Sequence, residues 1–141
     1  MRKLLAVVLL AAGMTGCRDA TPTGPYADVA GTYQLAAVNE SPVPYVLYLN
    51  SASRTEVIRG KLVLRADSTY SHGIDVRRVY STGAFEGQHW GDEQGRYTMI
   101  GSEITFTIPA GGDMAAHSYK GVIGNGVVTL PVGSMTMRYE K

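Results

Sequence analysis

From Val29 onward the apolar residues recur in short runs at every second position, and no window repeats them at i, i+3, i+4 and i+7 between helix caps. A period of two sends alternate side chains to opposite faces, which is the geometry of a strand with one dry side. In Gly31–Val38, Tyr33, Leu35 and Ala37 alternate with Thr32, Gln34 and Ala36, and Gly31, without a Cβ, lets the backbone lie close to another strand. Turn residues then cut the chain at the intervals typical of an all-β domain.

Taken in order, residues 39–44 (Asn-Glu-Ser-Pro-Val-Pro) form a turn, and Tyr45 to Asn50 a short strand. Val57 to Ala66 sets Ile58, Gly60, Leu62 and Leu64 against Arg59, Lys61 and Arg65. Thr69 to Tyr80 places Tyr70, His72, Ile74 and Val76 on one face, with a slip of register expected at Arg77-Arg78 as at a β-bulge or strand end. Ser81 to Gln94, rich in glycine and carrying Phe85 and Trp90, reads as the longest irregular loop. Strands follow at 95–100, with Tyr97 and Met99 inward, and at 103–108, with Ile104, Phe106 and Ile108 inward. Further strands are expected at 115–124, 127–130 and 135–141, and Asn125-Gly126 is the strongest hairpin signal in the chain. Eight or nine antiparallel strands in simple succession either close or leave adhesive edges. The pattern therefore predicts a single up-and-down antiparallel β-barrel whose last strand pairs with the Gly31 strand, with a two-sheet β-sandwich as the alternative.

The chain has 141 residues, a length that fits one domain able to bury roughly two-thirds of its unfolded surface. Seventeen glycines suit many tight turns, and a single cysteine leaves the core without an internal disulfide. The net charge is +1, and setting aside Arg2 and Lys3 leaves eleven basic against twelve acidic residues, a net of −1. With no basic stripe beyond Arg77-Arg78, nucleic acid is not an expected partner.

The first 17 residues read as an export signal: Arg2 and Lys3 precede an apolar run from Leu4 to Ala12, too short to span a bilayer. Met14-Thr15-Gly16-Cys17 resembles a bacterial lipobox, with Met14 where Leu is usual. The resemblance implies that Cys17 is the lipid attachment site, carrying a diacylglyceryl group as the mature N-terminus. Two or more acyl chains, at about 0.8 kcal/mol per buried CH₂, hold a protein stably where one does not. The implied location is the bacterial cell envelope, anchored to a membrane by lipid and facing the periplasm or the cell surface. Arg18, where Asp would favour inner-membrane retention, points to the outer membrane, and Asp19 pulls the other way. Residues 18–28 read as a flexible tether and residues 29–141 as the barrel domain.

Gly31-Thr32-Tyr33 after the tether, the turn over 39–44 and the repeated hairpins ending in an Arg-containing strand resemble the lipocalin-like small bacterial lipoproteins. In lipocalins a Gly-x-Trp on strand one has an Arg from near the chain end packed over its ring. Gly31 and Tyr33 occupy the first two positions here with Tyr for Trp, and Arg138 is the candidate for the third, an Arg-on-ring contact adding roughly 0.5–2 kcal/mol. The resemblance implies a small apolar or amphipathic ligand.

Tyr33, Tyr70, Tyr97 and Tyr119 fall on inferred inward faces, and a ring with a polar tip suits the wall of a pocket for such a ligand. The ligand-binding candidates are Tyr33, Tyr70, His72, Trp90 and Tyr97, with Trp90 in a loop over one mouth. The same tyrosines equally suit a filled barrel, which would leave an inhibitor or other interaction module acting through exposed loops. His89, Asp92 and Glu93 lack a second, strand-held histidine, and His117 has no His or Cys at ligand spacing, so no metal or other cofactor is expected. No Gly-x-Ser-x-Gly is present, no catalytic residue is assigned, and an enzyme is not expected.

Overall fold

A computed structural model describes residues 26–111 and 115–141. The export signal, Cys17 and the tether up to residue 25 lie outside the described residues. The described chain forms ten strands: β1 (Gly31–Val38), β2 (Ser41–Pro42), β3 (Tyr45–Leu49), β4 (Ser53–Leu64), β5 (Thr69–Tyr80), β6 (Phe85–Ile100), β7 (Glu103–Ile108), β8 (His117–Gly124), β9 (Val127–Val132) and β10 (Met135–Glu140). Each of β4 to β10 pairs antiparallel with the next, and β1 closes the sheet by pairing with β10 on one side and β4 on the other. Eight strands thus make a closed up-and-down barrel, which excludes the sandwich. Two short strands are extra: β2 folds back on β1, and β3 pairs with the outer half of β4.

One end of the barrel is shut. The turn Tyr26–Val29 lies across it, with the Tyr26 ring 5.1 Å from that of Tyr97. The Tyr33 hydroxyl donates to the Val29 carbonyl and the Tyr97 hydroxyl to the Arg65 carbonyl, both at 2.7 Å. Above this plug the interior is solid: Tyr33, Leu62, Leu64, Tyr97, Ile104, Phe106, Leu130 and Met137 are each no more than 1 % exposed. Burying a large apolar side chain of this kind contributes about 1.5–3 kcal/mol.

Beyond the barrel wall, β4, β5 and β6 run on together and, with β3 at one edge, form a four-stranded arm. Ser81–Asp92 is therefore a hairpin tip and strand where a loop was expected, and every residue in it is exposed. With solvent on both sides, neither face selects apolar residues, so the period-two signal is missing. The expected slip at Arg77-Arg78 is also absent, since β5 runs unbroken to Tyr80. The bulge lies on the neighbouring strand, where Glu93 pairs with His72 and Trp90 with Ile74, leaving Gly91 and Asp92 opposite Gly73 alone. Gly91 takes φ +70°, a conformation that glycine adopts at no steric cost. A matching irregularity between Val57 and Arg59 shifts β4, so that Val57, rather than Ile58, is fully buried. Wall gives way to arm at these bulges.

Arg138 does not cover Tyr33. It alternates with the buried Met137 and Tyr139, so it points outward, and its Nη1 lies 2.5 Å from Glu140 Oε1. The cation over the Tyr33 ring is Lys141, whose Nζ is 5.8 Å from the centroid. A Cβ on Gly31 would stand 2.5 Å from Lys141 Cε, so the glycine makes room for that side chain to lie across the closed end.

Close strand packing is tightest at Gly95, where a Cβ would fall 2.2 Å from the Thr107 carbonyl oxygen and 2.9 Å from Tyr70 Cε1. Gly95→Ala is expected to destabilise the protein by about 1–3 kcal/mol through forced displacement of β7. Gly87→Ala, with no atom within 4 Å of the new methyl, should stay within about 0.5 kcal/mol of wild type. Equilibrium unfolding in urea measures both.

Candidate functional site at the barrel mouth

The end of the barrel opposite the plug is lined by polar side chains. Tyr70 and His72 on β5 follow the inward alternation, and the bulge brings Glu93 to the same face, directly across from His72. The Tyr70 hydroxyl donates to Glu93 Oε1 at 2.6 Å, and the Tyr119 hydroxyl, from β8, donates to the same oxygen. His72 Nε2 and the Tyr139 hydroxyl are hydrogen-bonded at 2.6 Å, their rings edge to face with centroids 5.4 Å apart. A cavity of about 220 Å³ adjoins this cluster, lined by His72, Glu93, His117 and Tyr119 and, at the end of β9, by Pro131, Val132 and Gly133.

Burial raises the Tyr70 and Tyr119 hydroxyls well above the ordinary tyrosine value, and their hydrogen bonds to Glu93 raise them further. Tyr139 is raised by burial and then by the charge of Glu93. Burial lowers His72 from 6.5, opposed by the nearby Glu93, so its imidazole is neutral near pH 7. The cluster is thus a carboxylate held by neutral hydroxyl donors beside a neutral imidazole.

The five sequence candidates separate into two places. Tyr70 and His72 belong to the mouth. Trp90, 42 % exposed, pairs with Ile74 on the same face one step out along the arm, beside a second hollow of about 320 Å³ with Thr55, Val76 and Arg78. Tyr33 and Tyr97 lie at the closed end, where burial raises both and brings Tyr97 to about 12; their hydroxyls are already satisfied by backbone carbonyls. Tyr139 and His117 were not anticipated as mouth residues. The alternation of Met135, Met137 and Tyr139 was the available signal for the first, and nothing local marked the second.

Glu93 and its sequence neighbours His89 and Asp92 do not form one group. Outside the barrel, His89 Nδ1 lies 2.5 Å from Asp75 Oδ1 and its Nε2 is 3.0 Å from Asp92 Oδ1, while Arg59 binds the other Asp75 oxygen. The His89 ring occupies the space over Gly73, where a Cβ would come within 2.9 Å of its Cε1. These carboxylates raise His89, and His89 and then Arg59 lower Asp75. This cluster borders a surface hollow of about 710 Å³ on the outer faces of β1, β4 and β5. Its charged groups are largely matched to one another in open solvent, so the smaller mouth, with its buried polar atoms, is the better candidate. Among the described residues no group of three His, Cys, Asp or Glu side chains is placed to hold a metal ion.

Comparison with protein families, curated proteins and solved structures finds no match to this chain.

Imidazole proton signals followed by NMR should place the His72 midpoint below 6.5 and that of His89 above it. Because the folded state lowers His72, the unfolded chain binds the proton first as pH falls. Its contribution to stability is whole above pH 6.5 and is lost as the pH drops from there through the folded value. Thermal unfolding of His72→Gln should accordingly lose less stability than wild type between about pH 7 and about pH 5.

Proposed function

We propose that this is a lipid-anchored envelope protein, lipocalin-like in build, that binds a small amphipathic molecule at the mouth of its barrel in a binding rather than a catalytic role. The observation that carries this reading is the cavity beside Glu93, in which buried hydroxyls, an imidazole and a carboxylate meet an otherwise apolar interior. Ligand sites typically combine a concave apolar wall with a few convergent polar groups. Because the lower barrel is filled, the polar end of the ligand sits against Glu93 and His72, and its apolar part extends past Ile74 toward Trp90. Support for the anchor comes from the lipobox-like Met14-Thr15-Gly16-Cys17.

A second reading, an interaction module, is favoured by β3. It is an edge strand with Val46, Tyr48 and Leu49 exposed, the kind of edge on which another chain can add a strand.

In a bacterial host, mass spectrometry of the wild-type protein should find Cys17 diacylglycerated, and Cys17→Ser should leave the membrane fraction. An unmodified thiol on membrane-free wild type would refute the anchor. For the ligand, titrating a single-chain amphiphile into the full chain should change the fluorescence of Trp90, the only tryptophan, saturably. If the mouth is filled by Val132→Trp, whose own emission is subtracted, a response of the Trp90 signal unchanged from wild type would place binding elsewhere.

A further inference from the structure

Glu93 differs from the other well-covered carboxylates in what it faces. Glu56 is held by Arg77, through Nε at 3.1 Å and Nη2 at 2.7 Å, and by Arg54 at 2.7 Å, and together they hold its carboxyl below the usual range. Asp75 has Arg59 and His89. Glu93 has two tyrosine hydroxyls, both on Oε1, and among the described residues no Lys, Arg or His within ion-pair distance. A carboxylate accepts about four hydrogen bonds, so acceptor capacity is left over on the side of the cavity. A partly desolvated carboxylate without a counter-charge is costly, and the cost is relieved when a cation enters.

We propose that the group this mouth receives is a compact organic ammonium, bound by Glu93 with its charge against the carboxylate and its carbon skeleton against Tyr119 and Val132. The proposal rests on the reading of the mouth as a small-molecule site and names the chemistry of its ligand. His72 does not compete as the cation, since its Nε2 is bonded to Tyr139 and burial keeps the ring neutral. His117, the other titratable ring at the cavity, has its Nδ1 3.4 Å from the Ala115 carbonyl oxygen and is exposed to solvent. Tyr119 stacks on Phe106 with centroids 5.1 Å apart, which fixes its ring in orientation at the cavity wall. A bare metal ion is a poorer occupant: Glu93 and His72 are already engaged, and among the described residues they and His117 are not placed as a group to hold a metal ion.

Three probes sharing one skeleton, n-hexylammonium, 1-hexanol and hexanoate, separate the possibilities by calorimetric titration of the full chain. The expected result is saturable binding of hexylammonium, at least about tenfold weaker binding of hexanol, and none of hexanoate, a charge-assisted contact being the difference. Glu93→Gln, which keeps an oxygen for both tyrosines, should weaken hexylammonium about tenfold or more and leave hexanol unchanged. Equal binding of hexylammonium and hexanol, or preference for hexanoate, would overturn the cation while leaving a ligand-binding mouth. Hexylammonium binding that Glu93→Gln does not alter would overturn the assignment to Glu93. If none of the three bound, both the cation and the small-molecule reading would fall. The wild-type comparison decides the charge preference whether or not the variant folds.

Discussion

The structure depends on β1 being hydrogen-bonded along both edges, to β4 through Gly31–Gln34 and to β10 through Gln34–Val38. One strand serves as the seam, and closure there creates an inside. Were either ladder lost, the eight wall strands would be an open sheet, with Tyr33 and Leu35 no longer covered and two long edges exposed. What fills the inside is mainly aromatic. Phe106 sits at the centre, with Tyr70 edge-on at 4.7 Å, Tyr119 stacked at 5.1 Å and Tyr97 at 6.4 Å, which joins β5, β6, β7 and β8 through one ring. Such pairs contribute about 0.5–1.5 kcal/mol each beyond area burial. The hydroxyls then divide by position: those of Tyr33 and Tyr97 close the plug, and those of Tyr70, Tyr119 and Tyr139 furnish the mouth.

Where one face of a strand is dry, the sequence showed it. The β5, β7 and β9–β10 regions and the Asn125-Gly126 turn were legible because each inward position meets a packed interior and each outward one meets water. Asn125 and Gly126 both take positive φ, as a two-residue hairpin of this kind requires. Legibility failed in the arm, where Ser81–Asp92 is wet on both sides and glycine-rich. It failed again at the bulges, because one extra residue exchanges the faces of everything beyond it. By unbroken alternation Trp90 and Glu93 would face opposite ways; the pairing at His72 and Ile74 puts them on the same side. The Arg138 expectation failed for a related reason: the cation at the closed end is supplied from Lys141, just beyond β10, whose own alternation turns Arg138 to solvent.

The same bulge divides two consecutive acids between unlike surroundings. Asp92 joins an outer group with His89, Asp75 and Arg59, whose charges are mutually compensated in water and so add little net stability. Glu93, one residue on, enters the barrel, where among the described residues two tyrosine hydroxyls answer its charge. The candidate site therefore follows from a backbone irregularity more than from any motif, which explains why residue spacing along β6 did not identify it.

The irregularities at Val57/Arg59 and at Gly91-Asp92 also mark where the arm leaves the cylinder beneath it. Packing beneath them is set by rings gathered on Phe106, whereas the hairpin past Tyr80 is exposed from Ser81 to Asp92. Lengthening, shortening or recolouring that outer ribbon would leave the interior arrangement intact, so the protein can vary what it presents to its surroundings independently of what it encloses.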